Sequence, residues 1–234
     1  MKALIVATIT LGLALDQYWP GPGQHAATAI AWAVFVALWS RSEPRERPAL
    51  FACLAFATAG EVFLSLVWGL YEYRLGNIPL FVPPGHVLLF FLGTQVAARI
   101  TDRGAWGIAA LAVPLVGALA WTGRDTLGPL LLALFLACMI ASPSRRLYAT
   151  MFVLSLAMEL YGTWLGNWTW APAVPYFGLT ALNPPVAAGA FYCVLDFLVV
   201  STVAALGRYP ASPIATPSTP SHQAAACSAR SSSR

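Results

Sequence analysis

The chain has 234 residues, of which 59% are hydrophobic and only 9% are charged, and its formal net charge is +4. A soluble globular domain carries charge on about a quarter of its residues. This composition therefore excludes an ordinary soluble domain and predicts an integral membrane protein surrounded by the lipid bilayer. The small positive charge reflects the loops of such a protein, and no nucleic-acid partner is expected.

Eight apolar stretches are long enough, or nearly so, to cross a hydrocarbon core of roughly 30 Å as helices. They lie at about residues 3–18, 25–40, 49–70, 84–100, 105–122, 127–142, 147–166 and 186–206. The predicted fold is an all-α, polytopic bundle of about eight transmembrane helices over residues 1–207. Residues 208–234 are rich in Ser, Pro, Ala and Thr without periodicity, and are predicted to form a disordered cytoplasmic tail.

The positive residues indicate how this bundle is oriented. Of the 13 Lys and Arg residues, 11 fall on one side of the eight predicted spans, and only Arg74 and Arg124 fall on the other. Cytoplasmic loops are enriched in Lys and Arg. The sequence therefore predicts a multi-pass protein of the inner (plasma) membrane with both termini in the cytoplasm.

The chain contains one arrangement of residues twice. Glu61 and Glu159 lie 98 positions apart, each inside an apolar run, and a cluster of aromatic residues follows each of them. A proline pair comes next in both copies, and 11 positions beyond its second proline stands a polar residue, Gln95 or Asp196. We interpret this as an ancestral duplication with halves at about residues 1–100 and 105–207. Parallel repeats of this kind are related by a pseudo-twofold axis along the membrane normal.

Carboxylates inside membrane spans are costly and are functional candidates by default. Glu61, Glu159 and Asp196 are the predicted catalytic residues, and they are expected to converge between the two halves. The residues predicted to line a substrate site with them are Trp68, Tyr71, Tyr73, Asn77, His86, Gln95, Trp164, Asn167, Trp168, Trp170, Asn183 and Tyr192. No cofactor and no metal site is predicted, because the cysteines show no metal-ligand spacing.

This set of residues favours acid chemistry on a lipophilic small molecule. A carboxyl group kept protonated in an apolar pocket is a strong proton donor, and the faces of Trp and Tyr stabilise a cation that forms beside it. Such a site suits protonation of an isoprenoid double bond, followed by cyclisation, isomerisation or capture of water.

One segment resembles a known pattern. Trp68-Gly69-Leu70-Tyr71-Glu72-Tyr73, which follows Glu61 and precedes a proline-containing loop, resembles the glutamate, Phe-Gly-x-Tyr-x-Tyr and proline pattern of integral-membrane carotenoid-biosynthesis proteins. These include the carotenoid hydratases, and the small membrane lycopene cyclases are similar in character. The resemblance covers about a fifth of the chain, which has Trp where the pattern has Phe. It implies a membrane enzyme acting on a long isoprenoid, with the carboxylate of the family at Glu61 and, through the repeat, at Glu159.

Two other classes of function stay open at this point. In a transporter, the same carboxylates would relay protons or bind a cation. In an accessory membrane subunit, the polar residues would only join helices through hydrogen bonds, and the aromatic residues would form an interfacial belt.

Overall fold

A helix forms at each of the eight apolar stretches in the computed structural model, which describes residues 1–207. The helices are α1 (Lys2–Tyr18), α2 (Pro22–Arg41), α3 (Arg47–Glu61), α4 (Val82–Ala97), α5 (Asp102–Trp121), α6 (Gly128–Ala141), α7 (Arg145–Leu165) and α8 (Gly189–Ala205). The helical fold class is thereby confirmed. The tail predicted at 208–234 lies outside the described residues.

By length and composition alone, two of the described helical segments are long and apolar enough to cross a membrane. They are α5 and the segment Arg47–Val67, which comprises α3 and its continuation. Helices α4, α6 and α8 are apolar but shorter, at 10–17 residues. The number of spans therefore stays a prediction.

Two short strands interrupt the helical pattern and were not predicted. Beyond Glu61 the chain continues as a π-helical segment, Val62–Val67, and then forms β1 (Tyr71–Tyr73). Helix α7 is likewise followed by β2 (Trp168–Trp170). Before each strand a glycine adopts positive φ, 73° at Gly69 and 84° at Gly166, a conformation that glycine adopts without steric cost. The strands pair antiparallel and join the two halves of the chain.

The helices of the two halves also pack against each other. Helix α3 packs on α8, and α4 packs on α7. These are equivalent pairs if α1–α4 and α5–α8 are the two repeats. Glu61 and Glu159 therefore both lie on helices that form the boundary between the halves.

A buried polar network closes the bundle at the end that carries the two strands. Asp16, at the end of α1, is only 1% exposed. One of its carboxylate oxygens lies 3.3 Å from Arg74 Nη2 and accepts a hydrogen bond from Gln24, and the other accepts one from Asn167 at 2.8 Å. The network connects α1, α2 and the segments next to both strands, so it fixes the strands over the bundle.

Asp16→Ala is expected to destabilise the protein by about 3–5 kcal/mol, because removing one partner of a buried ion pair leaves the other charge uncompensated. The thermal midpoint of the purified protein in detergent measures the effect. Asp102→Ala is the matched control, since Asp102 pairs with Arg146 at the exposed surface. The control should change the midpoint little, and equal midpoints for both variants would contradict the prediction.

Candidate functional site

The two strands present four aromatic rings to the interior of the bundle. Tyr71 pairs with Trp170, and Tyr73 pairs with Trp168. Because successive side chains of a strand point to opposite faces, these four rings are buried, whereas Glu72 between the tyrosines is exposed. The ring centroids lie 5.0 Å apart for Tyr71 and Trp170 and 6.0 Å apart for Tyr73 and Trp168. The sheet thus forms an aromatic cover over the helices beneath it.

Glu61, at the end of α3, lies under the tyrosines of β1. Its Oε2 accepts hydrogen bonds from the hydroxyl groups of Tyr71 at 2.8 Å and Tyr73 at 2.7 Å. Burial, and then the adjacent Glu61 carboxyl, raise the pKa of both tyrosines well above the ordinary value. Both hydroxyl groups therefore stay protonated and serve as donors. The other oxygen, Oε1, lies 3.3 Å from Nε2 of His86 on α4.

Glu159 has the equivalent relation to the tryptophans of β2. Its Oε2 accepts from the indole nitrogens of Trp168 at 2.8 Å and Trp170 at 3.1 Å. Its Oε1 accepts from the hydroxyl of Tyr192, on α8, at 3.2 Å. In each half, the glutamate therefore binds both aromatic residues of the strand that follows it and one residue of the next helix.

His86 and Tyr192 bring the two glutamates into one site. Their rings are stacked, with centroids 5.0 Å apart and an angle of 6° between the planes. His86 contacts Glu61 and Tyr192 contacts Glu159, so the stack lies between the two carboxyl groups. The structure thus joins both halves at their repeated carboxylates.

Two small cavities of about 60 Å³ each adjoin this group. Both cavities, called here the first and second chambers, are lined by five residues at the junction of the two halves: Glu61, Tyr71, His86, Glu159 and Tyr192. The first chamber extends among α1, α2, α4 and α7, where apolar side chains such as Leu13, Phe81 and Met158 line it. The second chamber lies between α3 and α8, where Phe56, Leu64 and Phe191 line it. No Lys or Arg is among the described residues of either lining, so no basic residue there neutralises the two glutamates.

Eight of the residues predicted from the sequence line one or both chambers. They are Glu61, Tyr71, Tyr73, His86, Glu159, Trp168, Trp170 and Tyr192. His86 has no counterpart in the second copy, where Ala187 stands. The structure nevertheless places His86 at the centre of the site.

Asp196 lines neither chamber, so the structure does not bring it to these cavities together with the glutamates. It is fully buried in the bundle, and neither of its oxygens has a hydrogen-bond partner among the described residues. Asp196 stands on α8 one helical turn beyond Tyr192, which places it about 6 Å further along the helix axis than the residue that contacts Glu159. Its repeat counterpart, Gln95, is exposed and also lies away from the site.

Asp196→Asn is accordingly expected to lower turnover less than about 10-fold, whereas loss of a general acid has larger effects. Activity of the purified, monodisperse variant measures this. A loss of about 10²-fold or more would instead indicate that Asp196 is one of the reacting groups.

Three other predicted site residues line neither chamber, and of these Trp68 is half-buried while Trp164 and Asn77 are exposed. Trp68 donates from its indole nitrogen to the Pro175 carbonyl at 3.2 Å and lines neither chamber. Trp164 is 76% exposed, and Asn77 is exposed and donates to Gln24. Trp68 follows the π-helical segment, whose geometry differs from the α-helix that the spacing assumed. Trp164 and Asn77 stand near the ends of helical segments, where their side chains face outward.

Two predicted asparagines support the site without lining it. Asn167 donates to the Leu13 carbonyl and to Asp16, so it belongs to the buried network of α1. The side-chain oxygen of Asn183 accepts from the backbone nitrogen of Trp170 at 2.9 Å. Both residues hold the strand that carries the tryptophans.

One determinant of the site was missed in the sequence. Gly162, one helical turn beyond Glu159, lies directly beneath the Trp168 ring, and a β-carbon at this position would overlap that ring. The absence of a side chain allows the indole to reach the carboxylate. A glycine three positions after a glutamate inside an apolar run was the available signal.

Within residues 1–207, no group of three or more His, Cys, Asp or Glu side chains is arranged to hold a metal ion. The chemistry accessible to the described residues of the site is that of two carboxyl groups, an imidazole and the surrounding aromatic rings. One carboxyl group can donate a proton while the other accepts one. Comparison of the chain with protein-family models, with curated proteins and with solved structures finds no match.

Proposed function

We propose that the chain is an integral membrane protein whose eight helices all span the bilayer. Its outer surface supports this proposal. Large apolar side chains on different helices are exposed there, including Leu11 at 63%, Phe51 at 63%, Leu111 at 75% and Ile140 at 73%. A soluble monomer seldom exposes extensive apolar surface, whereas lipid chains solvate such side chains favourably.

The topology is tested with reporter fusions placed after Arg47, within residues 77–81 and after Gly207. Because most Lys and Arg residues fall on one side of the spans, the first and third fusions should report the cytoplasm. The fusion within residues 77–81 should report the opposite side. A cytoplasmic signal from that fusion would contradict the proposed orientation.

In the bilayer the chain acts as an enzyme that carries out acid-initiated chemistry on a lipophilic isoprenoid substrate of carotenoid type. The observation that carries this proposal is the pair of repeated glutamates, Glu61 and Glu159, which face the same two apolar chambers beneath four aromatic rings. A structural role alone would not require both carboxyl groups to adjoin the same empty space. The apolar chamber walls and the resemblance around Tyr71 and Tyr73 support this substrate class.

The reaction needs only groups that the site contains. One carboxyl group gives its proton to a carbon of the double bond, a C–H bond forms, and the adjacent carbon becomes cationic. The aromatic faces stabilise that cation. A second double bond can attack the cation to form a ring, and the ring cation then loses a proton. Alternatively the first cation loses a neighbouring proton, or it takes up water, which then releases a proton. The second carboxylate accepts the proton that is released, which completes an acid–base pair.

Lipid extracts of cells with the gene, without it, and with a Glu61→Gln copy test this function by mass spectrometry. The wild-type gene should deplete one long isoprenoid and produce a cyclised, isomerised or hydrated derivative. The variant should match the cells that lack the gene. Identical extracts from all three strains, together with proton or cation uptake by proteoliposomes, would favour the transporter class instead.

A further inference from the structure

The two repeated glutamates have different hydrogen-bond partners around their carboxyl groups. We infer that Glu61 carries the proton that the site donates, positioned by His86, and that Glu159 is kept ionised beneath its two indoles. The protonation states follow from the hydrogen-bond geometry, and only their use in catalysis rests on the proposed function. His86 is on this account a positioning residue that acts through Glu61.

The His86 ring determines the first assignment. Its Nδ1 lies 3.0 Å from the Val82 carbonyl oxygen, which can only accept, so Nδ1 carries a hydrogen. In the neutral ring Nε2 is then a bare acceptor, and the group that faces it is Glu61 Oε1 at 3.3 Å. A protonated Glu61 supplies the hydrogen that this nitrogen needs. In the alternative, an imidazolium beside a carboxylate, two further charges would be buried with only 3.3 Å between Nε2 and Oε1 to pair them, whereas the Glu159 carboxylate receives three donated hydrogen bonds.

The remaining contacts of Glu61 agree with a hydrogen on Oε1. Its other oxygen, Oε2, accepts from the hydroxyl groups of Tyr71 and Tyr73. With the proton on Oε1, both oxygens and the imidazole nitrogen have complementary partners. The tyrosines and His86 thus fix which oxygen carries the acidic hydrogen.

The partners of Glu159 in the resting site all donate towards its carboxyl group. Indole nitrogens can only donate, and those of Trp168 and Trp170 both point at Oε2. The hydroxyl of Tyr192 points at Oε1. A proton on Oε1 would force that hydroxyl to accept, and its own hydrogen would then lack an acceptor among the described residues. Three hydrogen bonds donated to one carboxyl group stabilise its ionised form and oppose the cost of burying that charge.

This difference gives the duplicated residues complementary roles. Glu61 donates its proton to the substrate at the start of turnover, and Glu159 accepts the proton that the cation or the added water releases. Glu61 is then ionised and Glu159 protonated, and return of one proton between them restores the site. The titratable groups that face the pair are Tyr71 and Tyr73 on β1, His86 on α4 and Tyr192 on α8.

Infrared spectroscopy of the purified protein at neutral pH tests the assignment without a substrate. A protonated carboxyl group gives a carbonyl band that a carboxylate lacks. The band of Glu61 should disappear in Glu61→Gln, persist in Glu159→Gln, and shift in His86→Phe, which removes the acceptor of its hydrogen bond. Asp196→Asn identifies any separate band from that buried acid.

A band that disappears only in Glu159→Gln, or no band that depends on Glu61, would overturn the inference. Thermal midpoints give a second, independent readout. Glu61→Gln mimics the protonated acid, because the Gln amide can donate to His86. Its thermal midpoint should therefore stay close to that of the wild type. Glu159→Gln brings an amide hydrogen towards Tyr192 and should lower the thermal midpoint. A larger decrease for Glu61→Gln than for Glu159→Gln would contradict the assignment. If the infrared result holds but the lipid extracts show no reaction, the protonation states stand and the proposed enzyme function fails.

Discussion

Replacing Glu61 or Glu159 with Gln is expected to lower turnover by about 10²-fold or more while the protein stays folded. Gln keeps the shape of the side chain and can still accept the hydrogen bonds from the strand above it. It can neither deliver a strongly acidic proton nor accept one, and general acid or base catalysis contributes on the order of 10²–10⁴-fold. Turnover of the purified variants measures the effect.

Glu72→Gln provides the matched control for both variants. Glu72 stands between Tyr71 and Tyr73 on β1, but its side chain is exposed on the opposite face of the strand. The same chemical change there should leave turnover unaffected. Full activity of folded Glu61→Gln and Glu159→Gln proteins would rule out acid chemistry at this site, whereas failure of both to accumulate would favour a structural role for the carboxyl groups.

Filling either chamber is expected to lower turnover by about 10-fold or more without unfolding the protein. Gly85 lines the first chamber and Gly60 lines the second, and a β-carbon added at either position meets no atom within 4 Å. Gly85→Leu and Gly60→Leu therefore place a side chain where the substrate should lie. Displacement of a substrate by about 1 Å from its productive position can cost as much as 10²-fold in rate.

Gly117→Leu is the control for added bulk. Gly117 lies on α5, lines neither chamber, and also has open space at its β-carbon position. Its substitution should preserve both turnover and substrate affinity. If both chamber variants retain full activity, the substrate does not occupy these cavities. If only one of them is impaired, the substrate is confined to that chamber.

The helical fold could be predicted because its signal extends over long segments. An apolar run of fifteen or more residues indicates a helix even when its ends are uncertain. The repeat was visible for a related reason, since Glu61 and Glu159 are rare residues in such runs. Their meeting at one site follows from the way in which α3 and α7 each face the opposite half.

The aromatic sheet could not be recognised in the same way. Tyr71-Glu72-Tyr73 and Trp168-Thr169-Trp170 show the alternation of a strand, but three residues are too few to distinguish a strand from the end of a helix. Each strand exists because the other, about a hundred positions away, completes its hydrogen bonds. A contact of that kind depends on the tertiary fold, and an alternation of only three residues is too short to indicate it.

Asp196 shows the limit of the repeat as a guide to function. Its spacing from the proline pair equals that of Gln95, yet one of the two side chains is buried and the other is exposed. Equivalent positions in a duplicated chain share backbone geometry. The neighbours of each side chain are set by packing of the whole bundle, which the spacing does not encode.

Incorporation of deuterium from solvent tests acid-initiated chemistry most directly. The purified protein, supplied in D₂O with the isoprenoid identified from the lipid extracts, should form product that carries a carbon-bound deuterium, because the exchangeable proton of the site's acid becomes part of a new C–H bond. Mass spectrometry after back-exchange in ordinary water detects this label, and the Glu61→Gln protein should yield none. Product formed at the wild-type rate without carbon-bound deuterium would contradict the account.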